Sequence, residues 1–215
     1  MFSNNHMKHG GCGCGCGGSC GGNRSGRCKN AIGPFLAIDK ACIVPPVNKG
    51  SIIAFSSGLT QVALATVAGG VVSVSQQIGF GTATPGVAIL GNTIDLSAIV
   101  TEAFVVPRDG NITAISASFK ELVGVNLAGT TTINARIYKA TGNSAIYTAT
   151  DASVNLTPSA TGAIAVGQIF AASANLAPIP VAQGDRLVMV FSITVSGVTV
   201  VQVMTGTASA GITIE

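Results

Sequence analysis

Tryptophan is absent from this sequence, and tyrosine occurs twice in 215 residues. Stacking on nucleic-acid bases needs aromatic platforms, which are scarce here. Charge is scarce too: 9% of residues are charged, against about 25% in an average soluble domain. A net charge of +3 is too small to hold a polyanion, so no nucleic-acid partner is expected. Neither cysteine nor histidine occurs after Cys42. Ser-His-Asp and Cys-His arrangements therefore cannot be built within the body of the chain. The carboxylates there are few (Asp95, Glu102, Asp109, Glu121, Asp151, Asp185 and Glu215), and no phosphate-binding glycine loop of the P-loop type is present. No enzyme and no cofactor are expected. Asp109 and Asp185 read as turn residues, and Lys120-Glu121 as a solvated spot.

What is present divides into three parts. Residues 1–30 form a low-complexity tail in which glycine alternates with cysteine (GGCGCGCGGSCGG). Residues 31–50 form a connector arm. Its apolar runs AIGPFLAI and ACIVPPV are broken by Pro34, Pro45 and Pro46, which excludes a central strand but allows an extended segment lying on another surface. Residues 51–215 form the body. The first 50 residues carry six basic groups and one acid, 6 − 1 = +5, and the rest carry five and seven, 5 − 7 = −2. The chain opens without a continuous apolar stretch and small-residue cleavage site, so no classical signal is expected.

In the body, short Val/Ile/Thr/Ala runs end at Gly, Pro, Asn or Asp every 8–12 residues or so, as in all-β sandwiches and barrels. Ile112, Ala114, Ile133, Ala135 and Ile137 alternate with polar neighbours such as Asn134 and Arg136, which predicts one wet face. Turns are expected at residues 107–110, where Gly110 would accept positive φ, and at residues 141–143 and 183–185. Residues 187–204 form an uncharged run, but Ser192, Thr194, Ser196, Thr199 and Gln202 interrupt it, and Ser196-Gly197 signals a turn. It reads as two strands and a tight hairpin rather than a membrane span, and no membrane partner is expected. Residues 208–215 would be a terminal strand. No helix is expected. With so few charges, the outer surface must consist of Ser, Thr, Asn, Gly and Ala. A monomer with such a surface is poorly protected against association, which predicts an oligomer.

Several strings occur in order: IIAFSSG at 52–58, IGFG at 78–81, FVVPRDG at 104–110, ITAISASF at 112–119, TINARIY at 132–138, LVMVFS at 187–192 and ASAGITI at 208–214. Together they resemble the C-terminal domain of BclB-type exosporium proteins of bacterial endospores. The resemblance implies a jelly roll of the C1q/tumour-necrosis-factor type, assembled as a homotrimer on the outermost spore layer. Such proteins usually carry a collagen-like Gly-X-Y stalk, and these 215 residues contain none. The short tail and arm in its place suggest a subunit of a spore appendage fibre. Its partners would be further copies of itself and an anchoring protein of the exosporium.

In that reading Phe35, Leu36, Ile38, Ile43 and Val44 are the apolar anchors of the arm. Cys12, Cys14, Cys16, Cys20, Cys28 and Cys42 are candidates for disulfide cross-links. Their spacing lacks the paired C-x2-C knuckles of zinc ribbons, although C-x-C near His6 and His9 leaves a soft-metal reading open. A trimeric binding or adhesion head, anchored by its cysteine-rich tail, is the alternative. Asn111-Ile112-Thr113 and Asn155-Leu156-Thr157 match the glycosylation sequon, which chance accounts for in a Thr-rich chain.

Overall fold

The computed structural model describes residues 50–66, 73–100, 102–197 and 200–215, together with the backbone of residues 29–32 and 35–38. The chain divides into two compact units, Met1–Val47 and Asn48–Glu215. In the first unit, β1 (Lys29–Ile32) and β2 (Phe35–Ile38) pair antiparallel, with Ile32 opposite Phe35. The backbone of both strands is extended, and they pair with each other. Phe35, Leu36 and Ile38 fall on β2. Ile43, Val44 and all six cysteines lie outside the described residues.

The second unit is all-β, consistent with the expected jelly-roll sandwich. Its described residues contain no helix, hence none long and apolar enough to cross a membrane. The strands are β3 (Ser51–Ser56), β4 (Val62–Thr66), β5 (Ser73–Ile78), β6 (Ala83–Leu90), β7 (Thr93–Asp95), β8 (Phe104–Val105) and β9 (Gly110–Glu121). They continue as β10 (Val125–Ala140), β11 (Ile146–Asn155), β12 (Ala160–Ile164), β13 (Ile169–Val181), β14 (Arg186–Ser196) and β15 (Val203–Ile214). One layer runs β13-β9-β15, with β3 and β4 each pairing a different half of β15. The other centres on β10, flanked by β11, β12 and β14. Strand β5 pairs with both β14 and β4 and so joins the layers.

Between the layers lies the main core, where Phe55, Ile115, Phe119, Ile133, Ile137, Phe170, Met189, Phe191 and Ile212 meet. A second, smaller core sits on the far side of β10 and β14. There Val87, Ile94 and Leu96, from the β6–β7 region, cover Tyr138, Tyr147, Val188 and Val190. This explains why β14 shows no alternation. Leu187, Met189 and Phe191 face the main core, while Val188 and Val190 face the small one. A strand covered on both faces reads as a continuous apolar run.

Several expectations are corrected. Residues 187–204 do not form a hairpin. Strand β14 pairs with β10, β5 and β8, whereas β15 pairs with β3, β4 and β9. The chain turns at Gly197 (φ 87°), where the Ser196-Gly197 signal lies, but it then changes layer. The terminal strand accordingly begins at Val203 rather than Ala208. Gly110 does not adopt positive φ. It opens β9, and a Cβ there would stand 2.7 Å from the Glu215 carbonyl oxygen, so close approach rather than turn geometry requires glycine. The wet face of β10 holds at Asn134 and Arg136 but ends at Tyr138, which the small core buries. Ala114 is only half-buried because the β9–β15 register shifts opposite Thr213 and Ile214.

Candidate assembly surface

The expected neutral exterior is concentrated on one sheet face. Strand alternation sends Ile115, Ala117 and Phe119 of β9 into the core, so Ser116 and Ser118 point outward. The register then lines up small residues across four strands. One row runs Ser56, Ser209, Ser118, Ala171, from β3 through β15 and β9 to β13. The next runs Ala54, Gly211, Ser116, Ser173, and the third Ile52, Thr213, Ala114, Asn175. Ser116 and Ser173 hydroxyls are hydrogen-bonded at 2.7 Å. No charged side chain stands in these three rows, and Lys120 lies one row beyond. Ile52, at the corner, is 81% exposed.

Such a platform is suited to burial against a second protein surface. Ser, Ala and Gly lose little side-chain entropy on being covered. No charge must be stripped of water. A surface made mostly of short side chains also allows close backbone approach.

The two ends of the sandwich differ. Where β9 and β13 meet the C-terminus lies an open groove of about 620 Å³ lined by Asp109, Asn111, Lys139, Thr141 and Asp185. Its charged groups are engaged. Asp109 Oδ1 accepts the Gln183 N–H at 2.7 Å, and Asp185 Oδ2 accepts the Ala182 N–H at 2.9 Å. Lys139 Nζ donates to the Pro180 carbonyl at 3.2 Å and stands 3.4 Å from Asp185 Oδ2. Both aspartates thus hold the turn at residues 182–185, where Gly184 takes φ 88°. Among the described residues no group of three His, Cys, Asp or Glu side chains converges as a metal site.

At the opposite end, Glu121 overturns the expectation of a solvated spot. Lys120 is exposed, but Glu121 is fully buried. Its backbone closes the end of the sheet, donating to the Gln168 carbonyl and accepting from the Gly167 N–H. Its Oε1 accepts the Thr205 N–H at 2.9 Å, and no partner reaches Oε2 in hydrogen-bonding geometry. Burial pushes the Glu121 carboxyl above the ordinary carboxylate range, opposed by the Thr205 and Val123 amides. The folded state therefore favours the protonated form. The stability this confers is fully present below the ordinary value of 4.5 and is lost as pH rises through the higher folded value. Glu121→Gln keeps the acceptor for Thr205 and removes the titration. Its Tm is expected to fall less than that of the unsubstituted chain between pH 4 and 7, in thermal unfolding followed by circular dichroism.

The sequence shows a neutral exterior but not which residues form this platform. The signal is the second phase of alternation in ITAISASF and ASAGITI, where every outward position is small.

No family model matches the chain, and no solved structure matches it. A curated protein, Collagen-like protein 1 of Acanthamoeba polyphaga mimivirus, is 29% identical over 176 residues, covering 77% of this chain. The match spans 19% of that protein, so the chain corresponds to about a fifth of its relative's length.

Proposed function

We propose that this chain is a structural subunit that assembles with copies of itself. Its sandwich forms a homotrimer of the C1q/tumour-necrosis-factor type. The trimers join into a fibre through the N-terminal arm, and disulfides among Cys12, Cys14, Cys16, Cys20, Cys28 and Cys42 reinforce the joints. The setting is the exosporium of a bacterial spore, with an anchoring protein at the fibre base.

The observation that carries this reading is the sheet face of small, uncharged residues, which a free monomer would leave open to water. The similarity to part of a collagen-like protein supports a structural role. Cyclic trimers close on themselves, so growth needs a second, non-closing contact, and an arm outside the sandwich supplies one. Three arms per trimer act together, which multiplies modest individual contacts.

Negative-stain electron microscopy of the full chain, with and without reductant, tests the proposal. Filaments in both conditions are expected, with arm docking driving assembly and disulfides toughening it. Filaments lost on reduction would move the joint itself to the cysteines. Discrete particles in both would refute the fibre and favour the trimeric binding head.

A further inference from the structure

The end of the sandwich around Glu121 carries an apolar surface that the assembly reading does not yet use. Val123, Val166, Ile169, Val200, Val201 and Val203 are each about half exposed or more. They belong to adjoining segments. Ile169 pairs with Lys120, the Leu122 N–H donates to the Thr205 carbonyl, and a Cβ on Gly124 would touch Val166. Residues 122–128, 164–169 and 200–205 contain no charged side chain. The opposite end, where Gly50 lies against Glu215, is the charged one, with Arg108, Asp109, Lys139, Asp185 and Glu215.

The two ends are thus not complementary. Stacking one body directly on another would strip water from Arg108, Asp109, Lys139, Asp185 and Glu215, with no charged group among residues 122–128, 164–169 and 200–205 to replace it. A cover for the apolar end must itself be apolar. The chain preceding Gly50 supplies such segments, residues 31–38 and 41–47, which are uncharged.

We infer that the apolar end around Val166 and Val200 is the receiving surface for residues 31–47 of a second copy. The inference rests on the self-assembly proposed above and specifies where the arm lands. Length favours a second copy over the chain's own arm. Ile38 precedes Gly50 by 50 − 38 = 12 residues, about 40 Å at full extension. Strand β9, which runs from one end of the sandwich to the other, is itself 12 residues long, about 40 Å. Folding back would need a straight linker, whereas a neighbour stacked ahead needs only a short one.

Two full-length variants test this. Val166→Asp/Val200→Asp charges the receiving surface at exposed positions. Phe35→Asp/Ile38→Asp charges the arm. Mass photometry and electron microscopy follow assembly, and circular dichroism and Tm confirm folding. Neither variant alone is expected to form filaments, while both keep the mass of the closed unit. Mixed one to one, they are expected to give particles of twice that mass, because the intact arm of one fits the intact end of the other. Filaments of the Val166→Asp/Val200→Asp variant like those of the unsubstituted chain, or no doubled mass on mixing, would overturn the assignment while leaving self-assembly standing. An unsubstituted chain that stays single would overturn both.

Discussion

Substituting arginine at Ser116 and Gly211 together is expected to reduce the protein to folded monomers. Both residues stand in the central row of the small-residue platform, flanked by Ala54 and Ser173. Both sites have room for an outward side chain. Ser116 is exposed, and a Cβ at Gly211 meets nothing nearer than the Ile53 carbonyl oxygen at 3.7 Å, an ordinary contact. The body should therefore fold with little change in Tm. In an assembly that covers this face, each subunit would carry two buried, unpaired guanidinium groups. At about 3–5 kcal/mol per uncompensated charge, and with 1.4 kcal/mol equal to about tenfold, association should weaken by roughly a thousand-fold or more. Sedimentation velocity of the variant reads this directly. An unchanged oligomer would show that the interface lies elsewhere.

Gly206→Ala is expected to be severely destabilising, for a reason unrelated to assembly. Gly206 lies in β15 between Glu121 of β9 and Val62 of β4. A Cβ there would press into the Lys120 carbonyl and stand 2.5 Å from Phe119 Cζ. The carbonyl belongs to the strand ladder, and the Phe119 ring is fully buried in the main core, so neither can yield cheaply. Overpacking typically costs about 1–3 kcal/mol, and the rigidity of both neighbours puts this site at the upper end. A loss of about 3 kcal/mol lowers Tm by roughly 6–12 °C in a domain of this size. Gly211→Ala, five residues along the same strand, is the matched control and should leave Tm almost unchanged. Similar Tm values for the two variants would contradict the packing described at Gly206.

These contrasts show how much of the molecule is legible in the sequence. The all-β class follows from Val/Ile/Thr runs punctuated by Gly, Pro and Asn, and turns such as residues 183–185 follow from their own chemistry. The error at residues 187–204 has a definite cause. Two apolar strands joined by Ser-Gly look like a hairpin, but pairing depends on which layer needs each strand, and that is settled by residues far away in the chain. Glu121 is hard to place from sequence for a related reason. A carboxylate beside lysine looks solvated, yet the period of two sends Lys120 outward and Glu121 inward at the closed end of the sheet. The small core under β6 and β7 left only the unbroken run of β14 as its signal. The platform was legible in composition but not in position, because its rows exist only once four distant strands are placed in register.

The central claim is that the sandwich assembles through its uncharged sheet face. The most direct measurement is the solution mass of the full chain by sedimentation equilibrium at micromolar concentration under reducing conditions, beside the Ser116→Arg/Gly211→Arg variant. The account predicts three chain masses, or whole multiples of three, for the unsubstituted protein and one chain mass for the variant. A single chain mass for both would contradict it.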